Sequence, residues 1–500
     1  MPSINQAQLR ALLQRAAGLA QRGARHEARD LLESLLKTAP RNPNVLRQLA
    51  VLSADLGDHP RAIDLYRRAL RAAPGQQSLL LRLALSLRAT GRENEALGIL
   101  AQAAKTSDNP ATLLMQIADI HDHAGRMEEA REALDEAIER HEENLEPRIM
   151  LAAFDAREGQ YDQAIDELRE IIEEEPAPQV LARAHHELGS ALDRTGEYAE
   201  AWNAFTRSKR LIEQLNPQAK IRDRYLFSIT ETFKSTLTSD VLTAWGSCSY
   251  QDELPRVGHL LGFPRTGTTL TEMVLASHPE IVTLEERDCL DSVARMERMS
   301  VDNLDGLDEE RIKTLRLRYL GALRRELGDR MDSANLVIDK GPLHTPLLGF
   351  ITRLLPESSV VFALRDPRDI MVSCYTQLLT RSWFLSIDGT AELYATLMGF
   401  WLHVRDMVPL SWIEVRYEDT VEDLEGQSRR LLEKLGMPWD ERVLSFHETA
   451  GERYVATPSF EAVRKPISGE SVARWKNYEQ QLEPVLDTLQ PYIDAFGYTS

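Results

Sequence analysis

Cysteine is scarce: three in 500 residues, Cys248, Cys289 and Cys374, with no Cys-x-x-Cys spacing. That excludes a disulfide-stapled scaffold, leaves too few thiolates for a structural zinc site and fits a reducing compartment. No run approaches the roughly 18 apolar residues that a membrane span needs. The opening MPSINQAQLRALLQRAAGLA lacks an apolar core behind a basic flank, so it does not read as a secretory signal. Cytoplasmic placement is the expectation. Positive charge is also short, with 59 Lys and Arg against 78 Asp and Glu, net −19. Such a surface repels a phosphodiester backbone, and nucleic-acid binding is not expected. The 43% hydrophobic and 27% charged fractions are those of an ordinary folded chain, which excludes a mostly disordered or collagen-like one.

An internal repeat dominates the first half. A glycine followed five residues later by an alanine occurs at Gly23/Ala28, Gly57/Ala62, Gly91/Ala96, Gly125/Ala130 and Gly159/Ala164, each pair 34 residues after the last, and Gly196/Ala201 arrives three residues late. Small residues (Ala16, Ala50, Ala84, Ala118, Ala152, Gly189) stand near the middle of each preceding helix, and prolines such as Pro40, Pro74 and Pro176 close the following one. Small residues let two helices approach closely, glycine permits the tight turn and proline ends the helix. Each hairpin buries its apolar face only against a neighbour, so the units stack into a superhelix. This frame resembles the tetratricopeptide repeat, TPR, which implies a concave surface that binds a peptide or protein. Charge is uneven along it: residues 1–127 carry 17 basic and 11 acidic side chains, 128–175 carry 5 and 18. That acid reads either as a solvated helix face or as a docking groove for a basic segment. Tyr66, Tyr161, Tyr198, Trp202 and Phe205 read as packing residues.

The repeat phase stops near Leu215, Asn216-Pro217 offers a helix stop, and 218–246 reads as a connecting helical segment. From Arg256 the short apolar runs VGHLLGF, EIVTL, NLVIDK, SVVFALRD and WIEVRYED alternate with amphipathic stretches, the pattern of a parallel sheet covered by helices. Ligands bind such sheets beyond the strand C-termini. The first strand runs into Gly262-Phe-Pro-Arg-Thr-Gly-Thr-Thr-Leu270, a turn whose N–H groups and helix N-terminus suit a phosphate. It nearly fits G-x-x-x-x-G-K-[ST], yet Thr268 replaces the lysine that reaches the β and γ phosphates of ATP, and the cation, Arg265, lies inside the loop.

Proline, a cation, Ser/Thr, Gly, Thr, Thr is the form this loop takes in sulfotransferases that use 3′-phosphoadenosine 5′-phosphosulfate (PAPS). From here on, over about residues 256–480, the chain resembles that family, most closely the branch that includes tyrosylprotein sulfotransferases. The resemblance implies that Arg265, Thr266, Gly267, Thr268 and Thr269 bind the 5′ end of the nucleotide. A second motif, Arg365-Asp-Pro-Arg-Asp-Ile-Met-Val-Ser373, supplies the family's arginine and serine for the 3′-phosphate, and an arginine fork with a hydroxyl suits a phosphate dianion. By the same resemblance Glu286, 21 residues after Arg265, is the candidate general base, and Lys340 meets the sulfuryl and leaving phosphate. Tyr417 lies on the adenine side, and Ser459 with Lys465 or Arg464 closes over the nucleotide. Glu285 and His344 are alternative bases. If the strand continues, Glu285 points away from Glu286.

The expected fold is α + α/β. An N-terminal TPR α-solenoid of about six repeats occupies 1–215, a helical linker 216–250, and a P-loop-like parallel-sheet sulfotransferase domain 251–500. The expected reaction is PAPS-dependent sulfation of a hydroxyl, on a protein or peptide tyrosine recruited by the repeats. In-line attack on sulfur needs a base for the hydroxyl proton and fixed cations for the developing charge, which Glu286, Lys340 and Arg265 would provide without a metal. Competing readings are a carbohydrate or small-molecule acceptor, a kinase, which the missing loop lysine opposes, and a nucleotide-sensing TPR adaptor.

Overall fold

The computed structural model describes residues 5–21, 25–217, 219–250, 254–448 and 467–498. By internal contacts the chain divides into two compact units, Met1–Val180 and Leu181–Ser500.

The first unit is a stack of antiparallel helix pairs, from Gln6–Gln21 with Arg25–Thr38 to Glu146–Arg157 with Tyr161–Glu173. Its pairs follow the glycine–alanine frame. Gly57 and Gly91 stand at φ +82 and +71, where only glycine is unstrained. Each lets the next residue donate back to the helix it closes, Asp58 N to Ser53 O (2.8 Å) and Arg92 N to Leu87 O (2.9 Å). Ala62, Ala96, Ala130 and Ala164 are fully buried, as are Ala50 and Ala118, so side-chain size at these positions sets how closely the helices approach. In the acidic stretch Arg131 pairs with Asp155 and Glu158, and Arg148 with Glu167 and Glu174.

The second unit opens with the sixth hairpin, Pro178–Thr195 and Tyr198–Leu215, of which residues 181–215 belong to this unit. Here a Cβ added at Gly189 would meet the Phe205 ring at 2.8 Å. Helices Ala219–Thr236 and Ser239–Gly246 lead to five strands: β1 (Val257–Leu261), β2 (Ile281–Glu285), β3 (Leu336–Lys340), β4 (Ser359–Leu364) and β5 (Ser411–Arg416). All pair in parallel, in the order β2-β3-β1-β4-β5. β1 and β3 are buried along their whole length, which explains why they read as unbroken apolar runs. One face packs through Val337, Val360 and Phe362 against helices including Glu309–Leu327. The other packs through Leu260, Ile338 and Val361 against Thr268–Ala276. Connections leave β1 toward β2 on one side and β4 toward β5 on the other, so β1 and β4 bound a crevice at their C-terminal ends. Among the described residues no helix is long and apolar enough to cross a membrane.

Candidate active site

Every described candidate stands at the C-terminal edge of this sheet or in the turn or helix that follows. The loop after β1 is held by backbone conformations few residues tolerate. A Cβ at Gly262 (φ +148) would meet Ala363 O at 2.7 Å, and one at Gly267 (φ +88) would meet Tyr417 Cδ2 at 2.7 Å. Arg265 itself adopts φ +72, a left-handed conformation costing a non-glycine residue about 1 kcal/mol or more. Thr266 Oγ1 donates to Phe263 O (2.7 Å) and tightens the turn. Gly267 then heads the helix Thr268–Ala276 without a side-chain cap, and Thr268 and Thr269 occupy its first turn.

Two groups of candidates meet along the edge. In the first, Arg265 Nε donates to Ser373 Oγ (3.0 Å), Arg365 Nη1 donates to Arg265 O (3.1 Å), and the Arg365 guanidinium lies 4.7 Å from the centre of the Tyr417 ring. Burial pulls the Arg265 guanidinium below its usual pKa, and the nearby cations Arg365 and Arg474 add to the effect. Destabilised, converging cations of this kind are relieved by a bound anion. The sequence reading missed Arg474, which lies in the segment 467–478. Its guanidinium pairs with Asp193 of the sixth hairpin, whose other oxygen accepts from Tyr478 Oη. Asp369 fixes the same segment by accepting from the N–H groups of Ala473 and Trp475, both at 2.8 Å. Arg368 is bound to Asp366 and stacks 3.8 Å from the centre of Trp475. All three residues of Arg365-Asp366-Arg368 are buried, not a surface ion-pair cluster.

The second group surrounds Lys340, which is fully buried at the end of β3. Its Nζ lies 2.6 Å from Glu272, 3.6 Å from Glu286 and 3.9 Å from Glu285. Burial alone would lower its pKa, but the three carboxylates outweigh it and the net shift is upward. Alternation would put Glu285 and Glu286 on opposite faces only if the strand continued past Glu285. They share one side because β2 stops at Glu285 and Glu286 turns to φ +46, with its N–H donating to Lys340 O (3.1 Å). Glu286 is half-exposed. His344 Nε2 is bound to Asp291 Oδ2 (2.8 Å). Although burial opposes it, Asp291 raises the imidazole to about 9, which favours its charged form over the neutral one a base needs. Glu272 was also missed, although an ionisable residue inside the apolar helix TTLTEMVLA is itself a signal. Ser459, Arg464 and Lys465 lie outside the described residues. Among the described residues no cluster of three or more His, Cys, Asp or Glu is placed to hold a metal.

Residues 259–441 match the sulfotransferase family, and 13–76, 81–144 and 123–185 match the tetratricopeptide repeat. The chain joins tetratricopeptide repeats to a sulfotransferase domain. An uncharacterized protein of Aquifex aeolicus is 27% identical over 331 residues, 62% of this chain and 42% of that protein. Protein-tyrosine sulfotransferase 1 of Danio rerio is 24% identical over 271 residues, 50% of this chain and 74% of the relative. Among solved structures, the sulfotransferase domain from the Synechococcus PCC 7002 olefin synthase aligns with 46% of this chain and 90% of its own, at 18% identity and a TM-score of 0.34. The chain thus spans less than half of the first relative and about three quarters of the second. Within the sulfotransferase domain the matched region takes in the loop, Glu286, Lys340, Arg365, Ser373 and Tyr417, and ends before Arg474.

Proposed function

We propose that the chain transfers the sulfuryl group of PAPS to an acceptor hydroxyl, on a protein or peptide tyrosine recruited through the repeat surface. The observation that carries this reading is the Arg265–Ser373 hydrogen bond. It brings two motifs 108 residues apart within hydrogen-bond reach of each other. A nucleotide with phosphates at both ends of its ribose uses both motifs; ATP has no phosphate for the second. The fit is supported by the half-buried Arg265 and the buried Arg365 beside Ser373, with Tyr417 flanking both the loop and the Arg365 guanidinium. Relatives named protein-tyrosine sulfotransferases support tyrosine as the acceptor. The cytoplasmic part of the reading is supported by three free thiols.

When bound, PAPS supplies an activated sulfur whose bond to the 5′-phosphate oxygen breaks as the acceptor oxygen attacks. Glu286 takes the acceptor proton onto a carboxylate oxygen. Lys340 and Arg265 offset the charge arising on the equatorial oxygens and on the departing 5′-phosphate, which leaves as adenosine 3′,5′-bisphosphate. Arg365 and Ser373 hold the 3′-phosphate and so fix the sulfur relative to Glu286. None of these roles needs a metal ion.

Calorimetric titration of the full chain in magnesium-free buffer tests the reading. Adenosine 3′,5′-bisphosphate is expected to bind at least ~100-fold more tightly than adenosine 5′-phosphate or ATP, the worth of about two charge-assisted phosphate contacts. Equal affinities, or a preference for ATP, would sink it.

A further inference from the structure

The buried carboxylate of Glu272 has no part in the reaction just described, yet it lies nearest to Lys340. We infer that Glu272 is a positioning residue: carried by the helix of the loop after β1, it holds the Lys340 ammonium in a buried ion pair and keeps it off Glu286. The inference rests on the reading of Lys340 and Glu286 given above.

Distance decides the pairing. Glu272 is the close ion-pair partner at 2.6 Å, whereas Glu286 and Glu285 stand about 1 Å further off, at 3.6 and 3.9 Å. The groups facing Nζ are Glu272 from the loop helix and Glu285 and Glu286 from the end of β2. Asp339, His259 and Tyr319 lie across the sheet, on the side to which strand alternation sends residue 339. Glu272 and Lys340 are both almost wholly buried, and an isolated ammonium is not tolerated at such depth. Without the Glu272 charge Nζ has two courses: to lose its proton more readily, or to move about 1 Å onto Glu286 and form an ion pair with the base. Either one disables transfer. Glu272 follows Arg265 by seven residues, so one short helix ties the loop geometry to the ammonium.

A test independent of the unknown acceptor is the pH dependence of adenosine 3′,5′-bisphosphate affinity, because the Lys340 ammonium faces the 5′-phosphate in this reading. Calorimetry on the full chain compares wild type with Glu272→Gln from pH 7 to 9.5. Wild-type affinity should stay within about twofold. The Gln variant should weaken by about tenfold toward the alkaline end, because losing the largest upward contribution brings the Lys340 titration into range. Superimposable curves overturn the inference, and so does a variant whose melting temperature falls without any change in pH dependence, since that is a purely structural role. Wild type that fails to bind the bisphosphate at any pH overturns the functional reading itself. Should Glu272→Gln not fold, Glu272→Asp keeps the charge one methylene further back, and its alkaline loss should fall between the two. A wild-type curve from Glu272→Asp counts against positioning.

Discussion

Removing the repeats at the limit set by their phase should destroy the sulfotransferase unit, while removing them at Leu181 should not. Three contacts of the sixth hairpin decide this. Lys209, 3% exposed, donates from Nζ to Phe384 O (2.8 Å) and Gln377 O (3.1 Å), just beyond the helix that carries Ser373. Asp193 binds Arg474 and Tyr478. Trp202 stacks on Tyr375 at 4.1 Å between ring centres, and Thr206 Oγ1 meets Tyr375 Oη at 2.8 Å. Each charged cluster is worth about 1.5–3 kcal/mol and the stack about 1 kcal/mol. Their loss therefore removes roughly 4–7 kcal/mol, a large share of the ~5–15 kcal/mol a domain has. The residues released also border the anion site, since Tyr375 lies two positions after Ser373 and Arg474 beside Arg265. The assay is urea unfolding followed by fluorescence, with bisphosphate titration, on chains beginning at residues 181 and 216. The longer chain should unfold cooperatively and bind within about threefold of the full protein. The shorter should show no cooperative transition and no binding. A shorter chain that matches the longer one in midpoint and affinity refutes the reasoning.

Three further outcomes are expected. Glu286→Gln should lower sulfuryl transfer by about 100-fold or more, with bisphosphate affinity changed less than about threefold, as fits loss of a general base without loss of a nucleotide contact; single-turnover transfer from labelled PAPS checks it, and near-normal turnover removes Glu286 from the role. Gly267→Ala combines a φ of +88 with a Cβ 2.7 Å from the Tyr417 ring, so nucleotide binding should fall by at least ~10-fold while circular dichroism is unchanged; undiminished affinity would show that the loop relaxes freely. His344, raised to about 9 from an ordinary value near 6.5, stabilises the fold fully below about pH 6.5, and that contribution, up to about 3 kcal/mol, is lost as pH rises through about 9. Asp291→Asn should flatten that decline in urea unfolding between pH 6 and 9.5, and an unchanged slope would separate Asp291 from the titration.

What the sequence made legible follows from the range over which each feature is encoded. The repeat frame is local: a glycine, the alanine after it and a small residue in the preceding helix together determine one hairpin, and 34-residue recurrence repeats the information. The strands were legible because β1 and β3 are buried on both faces and read as continuous apolar runs. The loop after β1 was legible because its turn needs glycine at two sterically closed positions. Glu272, Asp193 and Lys209 were not, because their partners lie 68, 281 and 175 residues away in sequence and a single chain gives no sign of such pairings. Alternation alone also could not tell where Glu286 points. It assumes an extended backbone, and the left-handed turn at Glu286 ends that assumption one residue past the strand.

That turn gives the site its order. The strand sequence β2-β3-β1-β4-β5 sets Glu286 beside Lys340, Lys340 beside the loop, the loop beside Arg365 and Arg365 beside Tyr417. A nucleotide lying along this edge with its 3′-phosphate at Arg365 and Ser373 points its 5′ end toward Lys340, and the acceptor then has to enter from the β2 side. With an extended backbone at residue 286 its carboxylate would point to the opposite face, away from Lys340. The strain of about 1 kcal/mol at Glu286 is therefore tied to bringing a carboxylate to the acceptor end of the sheet. Arg265, strained in the same left-handed region, marks the nucleotide end. Both left-handed residues carry a side chain into the row of candidates, Glu286 to within 3.6 Å of Lys340 Nζ and Arg265 onto Ser373.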